Sequence, residues 1–401
     1  MPAPTDQDIR RSNRLLQQQE IARGADRLTS RPTEVWFALT GRCNLACGHC
    51  PRIAGVSSDE DMDAATYERV RDQVFPTADE VNFGGNNLGE QTLHKQFMTA
   101  LSDIRASGCR AVVTTNGTRL EESVAGALAS HGARLRISLE GIGETYQQIR
   151  GFKWDRLVKG LRAFQAAAHD HPEAGATLEF GVTAFAGNVE EVPSIVRMAH
   201  ELGADKVFVQ HLLPKNEDQR YQSLFFHRSS ANRAFDRARA VARELGIQAV
   251  LPEPIDSGSP HLKAAAPTPI GEAKPGLHAC HLPWTTVNIL ENGDVLPCPV
   301  SGGSLIMGNL RERTFDQIWN GRAYRRLRRT VNSSRPNPVC AACALRGGTD
   351  GNTFKVLLGG GTLSARVKSS VKAYLLRTKR KKALARLTQA RDAVNRLRAR
   401  L

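Results

Sequence analysis

The stretch Val35-Trp36-Phe37-Ala38-Leu39-Thr40-Gly41-Arg42-Cys43-Asn44-Leu45-Ala46-Cys47-Gly48-His49-Cys50-Pro51 decides how the rest of the chain is read. Its apolar first part reads as a buried strand, and the cysteines that follow at once stand in a Cys-x3-Cys-x2-Cys pattern. Thiolates are soft ligands that suit iron-sulfur clusters and zinc. Three of them on one short loop hold three corners of a 4Fe-4S cube and leave the fourth iron open to another ligand. A tetrahedral zinc site would want a fourth ligand close by, and His49 lies inside the loop, where it is badly placed to close one. Iron-sulfur is the better reading.

Working outward, strand candidates at 34–39, 79–84, 110–115, 133–139, 176–183 and 205–211 alternate with helical patterns at 62–74, 94–106, 119–131, 153–168 and 188–202. Repetition of strand and helix argues for a parallel sheet with right-handed crossovers. Six such units fit an open (β/α)6 barrel, and the pattern alone fits a doubly wound open sheet equally well. In either case ligands gather at the C-terminal ends of the strands, where the cysteine loop sits. Residues 1–32 read as a polar N-terminal extension with one short helix around Gln17-Gln18-Gln19-Glu20. Residues 252–279 hold six of the nineteen prolines and read as a linker or ordered lid, since proline at that density continues neither helix nor central strand.

A second set of cysteines, Cys280, Cys298, Cys340 and Cys343, forms Cys-x17-Cys-x41-Cys-x2-Cys. Between the first two, Val287-Asn288-Ile289 and Asp294-Val295-Leu296 flank Asn292-Gly293, which reads as a β-hairpin that returns Cys298 beside Cys280. Four thiolates saturate a site. Spacing alone does not choose between zinc and a 4Fe-4S cluster. The eighth cysteine, Cys109, reads as a small structural residue.

Cys43, Cys47 and Cys50 resemble the signature of the radical S-adenosylmethionine (SAM) superfamily, and Gly308-Asn309-Leu310 with Ile318-Trp319-Asn320 around the second cysteine set resembles its SPASM/twitch subgroup. The resemblance implies a partial (β/α)6 barrel over 33–251, a Pro-rich linker over 252–279, a twitch-type auxiliary-cluster domain over 280–350 and a basic helical tail over 351–401. It also implies SAM, a SAM-binding 4Fe-4S cluster on Cys43, Cys47 and Cys50, and one auxiliary 4Fe-4S cluster on Cys280, Cys298, Cys340 and Cys343. A full SPASM domain would carry about three more cysteines than this chain has. Gly84-Gly85-Asn86 and Gly89-Glu90 resemble the element that holds the SAM amino group, with Glu90 the preferred contact and Asn86 the alternative; Gln91 stands where proline is frequent. Ser138, Glu140 and Arg150 resemble the elements that bind the methionyl carboxylate, His49 stands where an aromatic often lies beside the adenine, and the backbone of Phe208-Val209-Gln210-His211 resembles the segment that pairs with the base. Lys215, Asn216, Glu217 and Arg220, just past that strand, are candidate substrate contacts.

The net charge of +15 is uneven along the chain. Residues 352–401 hold fourteen Lys or Arg and one acid, leaving a nearly neutral body. Ala383, Leu387, Ala390, Val394, Leu397 and Leu401 recur at steps of four and three, an amphipathic stripe that fits packing on the body, an anionic membrane surface or an acidic partner. No signal peptide or continuous apolar span is evident, so a cytoplasmic enzyme is expected, peripheral at a membrane only through its tail. The expected activity is an oxidoreductase-type radical SAM reaction: cleavage of SAM to a 5′-deoxyadenosyl radical that abstracts hydrogen from a sugar, polyol or other small metabolite. A flavodoxin- or ferredoxin-type reductant would supply the electron for SAM cleavage, and the auxiliary cluster would act as electron relay for the substrate radical, taking an electron in an oxidation or supplying one in an epimerisation. The alternatives are a maturase of ribosomally made peptides and, in another class, a non-catalytic metal protein whose tail binds nucleic acid.

Overall fold

In the computed structural model of the chain, residues 6–50, 52, 58–84, 89–212, 214, 217–255, 279–299, 301, 305–341 and 343 are described. The basic tail, the body of the Pro-rich segment, Gly85, Asn86, Lys215 and Asn216 lie outside the described residues. After helix α1 (Asp6–Ala22) come β1 (Glu34–Phe37), α2 (Ala64–Gln73), β2 (Glu80–Phe83), α3 (Phe97–Ala106), β3 (Arg110–Thr115) and α4 (Glu122–Ser130). The alternation continues through β4 (Arg134–Ser138), α5 (Gly143–Arg150), α6 (Trp154–Asp170), β5 (Thr177–Ala184), α7 (Val192–Glu201) and β6 (Lys206–His211). Strands β1 to β6 are all parallel and lie side by side in chain order. A doubly wound sheet would reverse its order at a switch point, so the barrel-like alternative is the one realised.

The unit after β6 extends beyond the expected pattern. Helices α8 (Glu217–Arg220) and α9 (Arg228–Leu245) lead to β7 (Gln248–Val250), which adds a seventh parallel strand at the sheet edge. The buried stripe of α9 is Ala231, Ala234, Phe235, Ala238 and Ala242, spaced for a helix but built mostly of alanine among arginines. That composition gives a weak apolar signal.

The core under the cysteine loop is aromatic. Phe37 of β1 meets Phe75 and Phe83 at centroid separations of 5.9 Å, and Phe83 meets Phe97 at 5.2 Å. All four rings are at most 2% exposed, each adding roughly 2–3 kcal/mol relative to an exposed ring. Cys109 is buried beside them and donates to the carbonyls of Phe75 (3.0 Å) and Ala78 (3.2 Å). Burial pushes its thiol up to about 11, as a structural cysteine requires.

Two departures bear on the site. First, the short N-terminal helix is a helix of 17 residues, and its buried face is polar: Arg10, Asn13, Gln17 and Glu20. Gln17 donates to the carbonyls of Arg31 and Trp284, both at 3.0 Å, while Glu20 accepts from Thr29 N (2.7 Å) and from Ser30 N (3.1 Å) and Oγ (2.5 Å). The helix straps the barrel to the C-terminal region through backbone groups, so a search for apolar periodicity passes over it. Second, the C-terminal hairpin is joined to the barrel sheet. After α10 (Leu282–Thr285), β8 (Thr286–Ile289) pairs parallel with β1, placing Phe37 opposite Ile289. β9 (Asp294–Leu296) and β10 (Gly308–Asn309) then continue antiparallel, with Gly293 at φ +86° in the expected Asn-Gly turn. Helices α11 (Phe315–Trp319), α12 (Arg322–Val331) and α13 (Pro338–Ala341) complete the region.

Arg328 is the interior tie of that region. Its guanidinium lies 4.3 Å from the Trp319 ring centre and 4.8 Å from that of Tyr324, and it donates to the carbonyls of Pro283, Asp26 and Trp319. Burial pushes its pKa down to about 10, with Tyr324, Glu20 and Asp26 opposing.

Candidate active site

The cysteine loop leaves the C-terminal end of β1 and is pinned at its root by a side chain from the next unit. Gln91, fully buried, accepts from the amides of Leu39 (2.7 Å) and Thr40 (3.2 Å) and donates back to Thr40 O (2.9 Å). Glu90 N donates to Arg42 O at 2.7 Å. A Cβ on Gly89 would stand 2.1 Å from Thr40 O, so this crossing of two chains admits only glycine. Gln91, read from the sequence only as a departure from proline, is thus the loop's anchor.

Glu90 is 3% exposed. Its Oε1 accepts from Thr115 Oγ1 and Thr92 Oγ1, both at 2.7 Å, and its Oε2 from Asn116 N at 2.7 Å. The carboxylate is largely spent on bracing the end of β3, and what remains for a ligand is one lone pair on Oε2. Asn116, which the sequence reading did not single out, then reaches the loop: its Nδ2 lies 3.8 Å from Cys43 Sγ and 3.0 Å from Asn44 Oδ1. The only signal for it was an Asn-Gly pair after a strand, which reads as an ordinary turn. Gly84, at the end of β2, has φ +117° and needs to be glycine.

On the other side of the loop, Glu140 and Arg150 meet each other. Arg150 Nε donates to Glu140 Oε2 at 2.5 Å, and its Nη1 lies 3.7 Å from Cys47 Sγ. Glu140 is 2% exposed and Arg150 9%. Burial opposes charge on Arg150, but Glu140 and Cys47 outweigh it and hold the guanidinium protonated. Asn188 Nδ2 donates to the carbonyls of Glu140 (2.9 Å) and Thr183 (3.0 Å), fixing the pair to β5. Ser138 is half-buried at the end of β4. His49 stacks on Phe185 at 5.8 Å, with Nε2 3.6 Å from Glu140 Oε1 and Nδ1 buried without a partner among the described residues. Burial holds its pKa below the ordinary histidine value.

Arg220, a candidate substrate contact, is held inside the fold. It is 4% exposed, its guanidinium 5.7 Å from the rings of both Tyr221 and Phe226. Its neighbour Gln219 faces the loop instead, donating to Gly48 O at 3.2 Å.

No disulfide links any of the eight cysteines. Cys47 is buried, Cys43 and Cys50 half-buried, and burial pushes the Cys47 and Cys50 thiols above the ordinary value while Arg150 opposes. Among the described residues no three His, Cys, Asp or Glu side chains stand close enough to share one ion. The fit to a larger cluster rests on the donor set: three thiols on one loop, with an amide and a guanidinium N–H aimed at two of the sulfurs, as cluster-bound thiolates require. In the second region, Asn332 clamps the backbone of Cys280, accepting from its N (2.8 Å) and donating to its O (3.0 Å), and Cys343 N meets Cys340 O at 3.4 Å. Among the described residues no helix is long and apolar enough to cross a membrane.

Known proteins match this arrangement. The sequence profile of the radical SAM superfamily matches residues 37–177, and that of the SPASM iron-sulfur cluster-binding domain matches 280–344, which contains all four C-terminal cysteines. The chain is 29% identical to the PqqA peptide cyclase of Xanthomonas campestris pv. campestris, over 79% of this chain and 80% of the relative. It is 23% identical to the tungsten-containing aldehyde ferredoxin oxidoreductase cofactor-modifying protein of Pyrococcus furiosus, over 79% and 88% of the two chains. Among solved structures, Streptococcus suis SuiB bound to precursor peptide SuiA superposes with a TM-score of 0.57 at 20% identity, covering 84% of this chain and 75% of SuiB, a likeness of fold.

Proposed function

Because the chain is a radical SAM protein with a SPASM-type iron-sulfur region, we propose that it is a maturase of a ribosomally made peptide. The observation that carries this is the similarity to PqqA peptide cyclase, which covers 79% of this chain and 80% of the relative. The expectation of a sugar or polyol substrate gives way to it. A peptide reaching the strand ends would meet side chains already fixed by their neighbours.

When bound, the first cluster supplies the electron that cleaves the SAM sulfonium and yields the hydrogen-abstracting radical. The chain's own residues set the stage for that. Cys43, Cys47 and Cys50 would hold three corners of that cluster, and the N–H groups of Asn116 and Arg150, aimed at two of the sulfurs, would withdraw electron density from them and raise its potential. Arg150 spends Nε on Glu140 and Nη1 on Cys47, so Nη2 is the edge it offers the methionyl carboxylate, with the Ser138 hydroxyl as second donor. Glu90 offers its remaining lone pair to the amino group. His49, neutral and stacked on Phe185, presents an apolar face beside the adenine. Cys280, Cys298, Cys340 and Cys343 would saturate an auxiliary cluster, which could then carry electrons but not bind substrate.

The test is anaerobic reconstitution with SAM, dithionite and candidate precursor peptides encoded beside the gene. The expected result is 5′-deoxyadenosine formed together with hydrogen loss from the peptide, read by mass spectrometry. Turnover of a sugar or polyol with no change in any peptide would overturn the reading.

A further inference from the structure

The C-terminal region carries a groove of about 630 Å3 away from the strand ends, between α12, the segment leading into β10 and the approach to α13. Arg313, Arg322, Arg326 and Arg335 line it over an apolar floor that includes Leu305 and Met307. The helix supplying two of these arginines sorts its charges by face. Arg325 and Arg329 pair with Asp26, each at 3.4 Å, and Arg328 is spent on carbonyls and rings. The four groove arginines have no ion pair or side-chain hydrogen bond to any described residue. Arg322 and Arg326 stand one helical turn apart on the same face, an unrelieved like-charge contact that a bound anion would reverse in sign. The groove also takes in the start of α12, where Gly321 caps without a side chain and no acid occupies the first turn.

We propose that this groove docks an acidic, partly aliphatic segment of the precursor peptide. The proposal rests on the peptide-substrate reading and deepens it by naming where the non-reacting part of the substrate is held. Residues 352–401, with fourteen basic residues against one acid, carry the wrong charge to complement this lining. A nucleic acid fits less well, because among the described residues no aromatic side chain lines the groove to stack a base and its floor is aliphatic. Guanidinium forks over leucine and methionine suit glutamates or aspartates interleaved with leucine-like residues.

The test uses the full-length reconstituted enzyme and fluorescence anisotropy of a labelled peptide of Glu-Glu-Leu repeats, with oligothymidine as comparator. R322E/R326E is expected to weaken Glu-Glu-Leu binding at least about tenfold. The charge-matched control R156E/R162E, on the exposed face of α6 with the tail still present, should change it less than about twofold. The pair R313E/R335E, outside α12, must reproduce the loss, which guards against a misfolded helix; iron content and melting temperature check the fold. Equal loss in the control would assign binding to net charge or the tail and overturn the groove. So would tighter, groove-dependent binding of oligothymidine, or no binding of the Glu-Glu-Leu peptide. Groove-dependent docking without peptide modification in the reconstitution assay would instead leave the groove standing and sink the maturase reading.

Discussion

The two cysteine regions are held in opposite ways. The first loop rises from the end of β1 into a shell of buried polar side chains drawn from the segments that follow four other strands: Gln91 after β2 at its root, Asn116 after β3 beside Cys43, Arg150 at the end of α5 beside Cys47, and Gln219 of α8 on Gly48. In the second set Cys280 precedes α10, Cys298 follows β9 and Cys340 lies in the short helix α13, with Asn332 clamping Cys280 and Arg328 tying the surrounding helices. A cluster with one open iron must keep its vacant corner facing a bound cofactor, so its loop has to be rigid and its sulfurs tuned. A saturated cluster needs only to be kept in place. Three thiols stand against four, and the surroundings differ with them; that contrast can be broken or sharpened by substitution.

The sharpest break removes a thiol from each region in turn. Cys50→Ala should abolish 5′-deoxyadenosine formation, a loss above about a thousandfold, while about half the iron stays bound in the C-terminal region. Cys298→Ala should also lose about half the iron, yet keep SAM cleavage and lose only coupled peptide modification. Quantifying iron, 5′-deoxyadenosine and modified peptide separates the two. If Cys298→Ala stops SAM cleavage as thoroughly as Cys50→Ala, the division of labour between the regions fails.

The first cysteine set stands out by its short Cys-x3-Cys-x2-Cys spacing, whereas the second is spread over x17 and x41 intervals and is picked out by its resemblance to an iron-sulfur domain, whose profile matches 280–344. The strands were legible too, since Val35, Val81, Val113, Ile137 and Phe180 are buried apolar residues in recognisable runs. The shell was not. Gln91, Asn116 and Asn188 are buried polar residues whose partners lie on other units, and a single polar letter carries no periodicity to betray it. The same limit hid α1, which is buried through Arg10, Asn13, Gln17 and Glu20, and made Arg220 look exposed when its guanidinium packs between two rings. It also left Glu140 and Arg150 as two separate candidate ligands, when their first partner is each other.

That pairing gives the next test. Glu140→Gln preserves shape but leaves the Arg150 charge buried with only Cys47 nearby, and should cost about 3 kcal/mol of stability. Weaker SAM binding should accompany it as Nε swings free. The counterpart behind the second region is Arg328→Met, which keeps the volume against Trp319 but strands three carbonyls, at a cost of about 2–3 kcal/mol. Anaerobic melting curves compare the two. Arg328→Met should leave SAM affinity unchanged, since its partners face α1 and α10 and not the strand ends.

A smaller effect is expected at the loop's root. Gln91→Ala deprives the amides of Leu39 and Thr40 of their acceptor and should cost about 1–2 kcal/mol. Because that strain falls on the residues leading into Cys43, a chelator should strip iron from the first cluster faster than from the second. Equal stripping of both clusters would mean that rigidity is not what distinguishes the regions.

The smallest expected change is one of pH. His94, next to this root, is 4% exposed; its Nδ1 accepts from Gln96 N at 3.2 Å and its Nε2 has no partner among the described residues. Burial lowers its pKa from the ordinary value of 6.5, with Asp61 opposing. Its unfolded form therefore takes up a proton more readily than its folded form. The contribution is fully present above pH 6.5 and is lost as pH falls through the folded value, so acid destabilises the root. His94→Asn keeps an acceptor for Gln96 N and removes the titration. Between pH 7.5 and 5.5 the wild type should lose up to about 1 kcal/mol more than this variant, read from paired melting curves. An identical acid response in the two proteins would mean that the root of the loop is indifferent to pH and that whatever sensitivity the first cluster shows arises at the thiolates themselves.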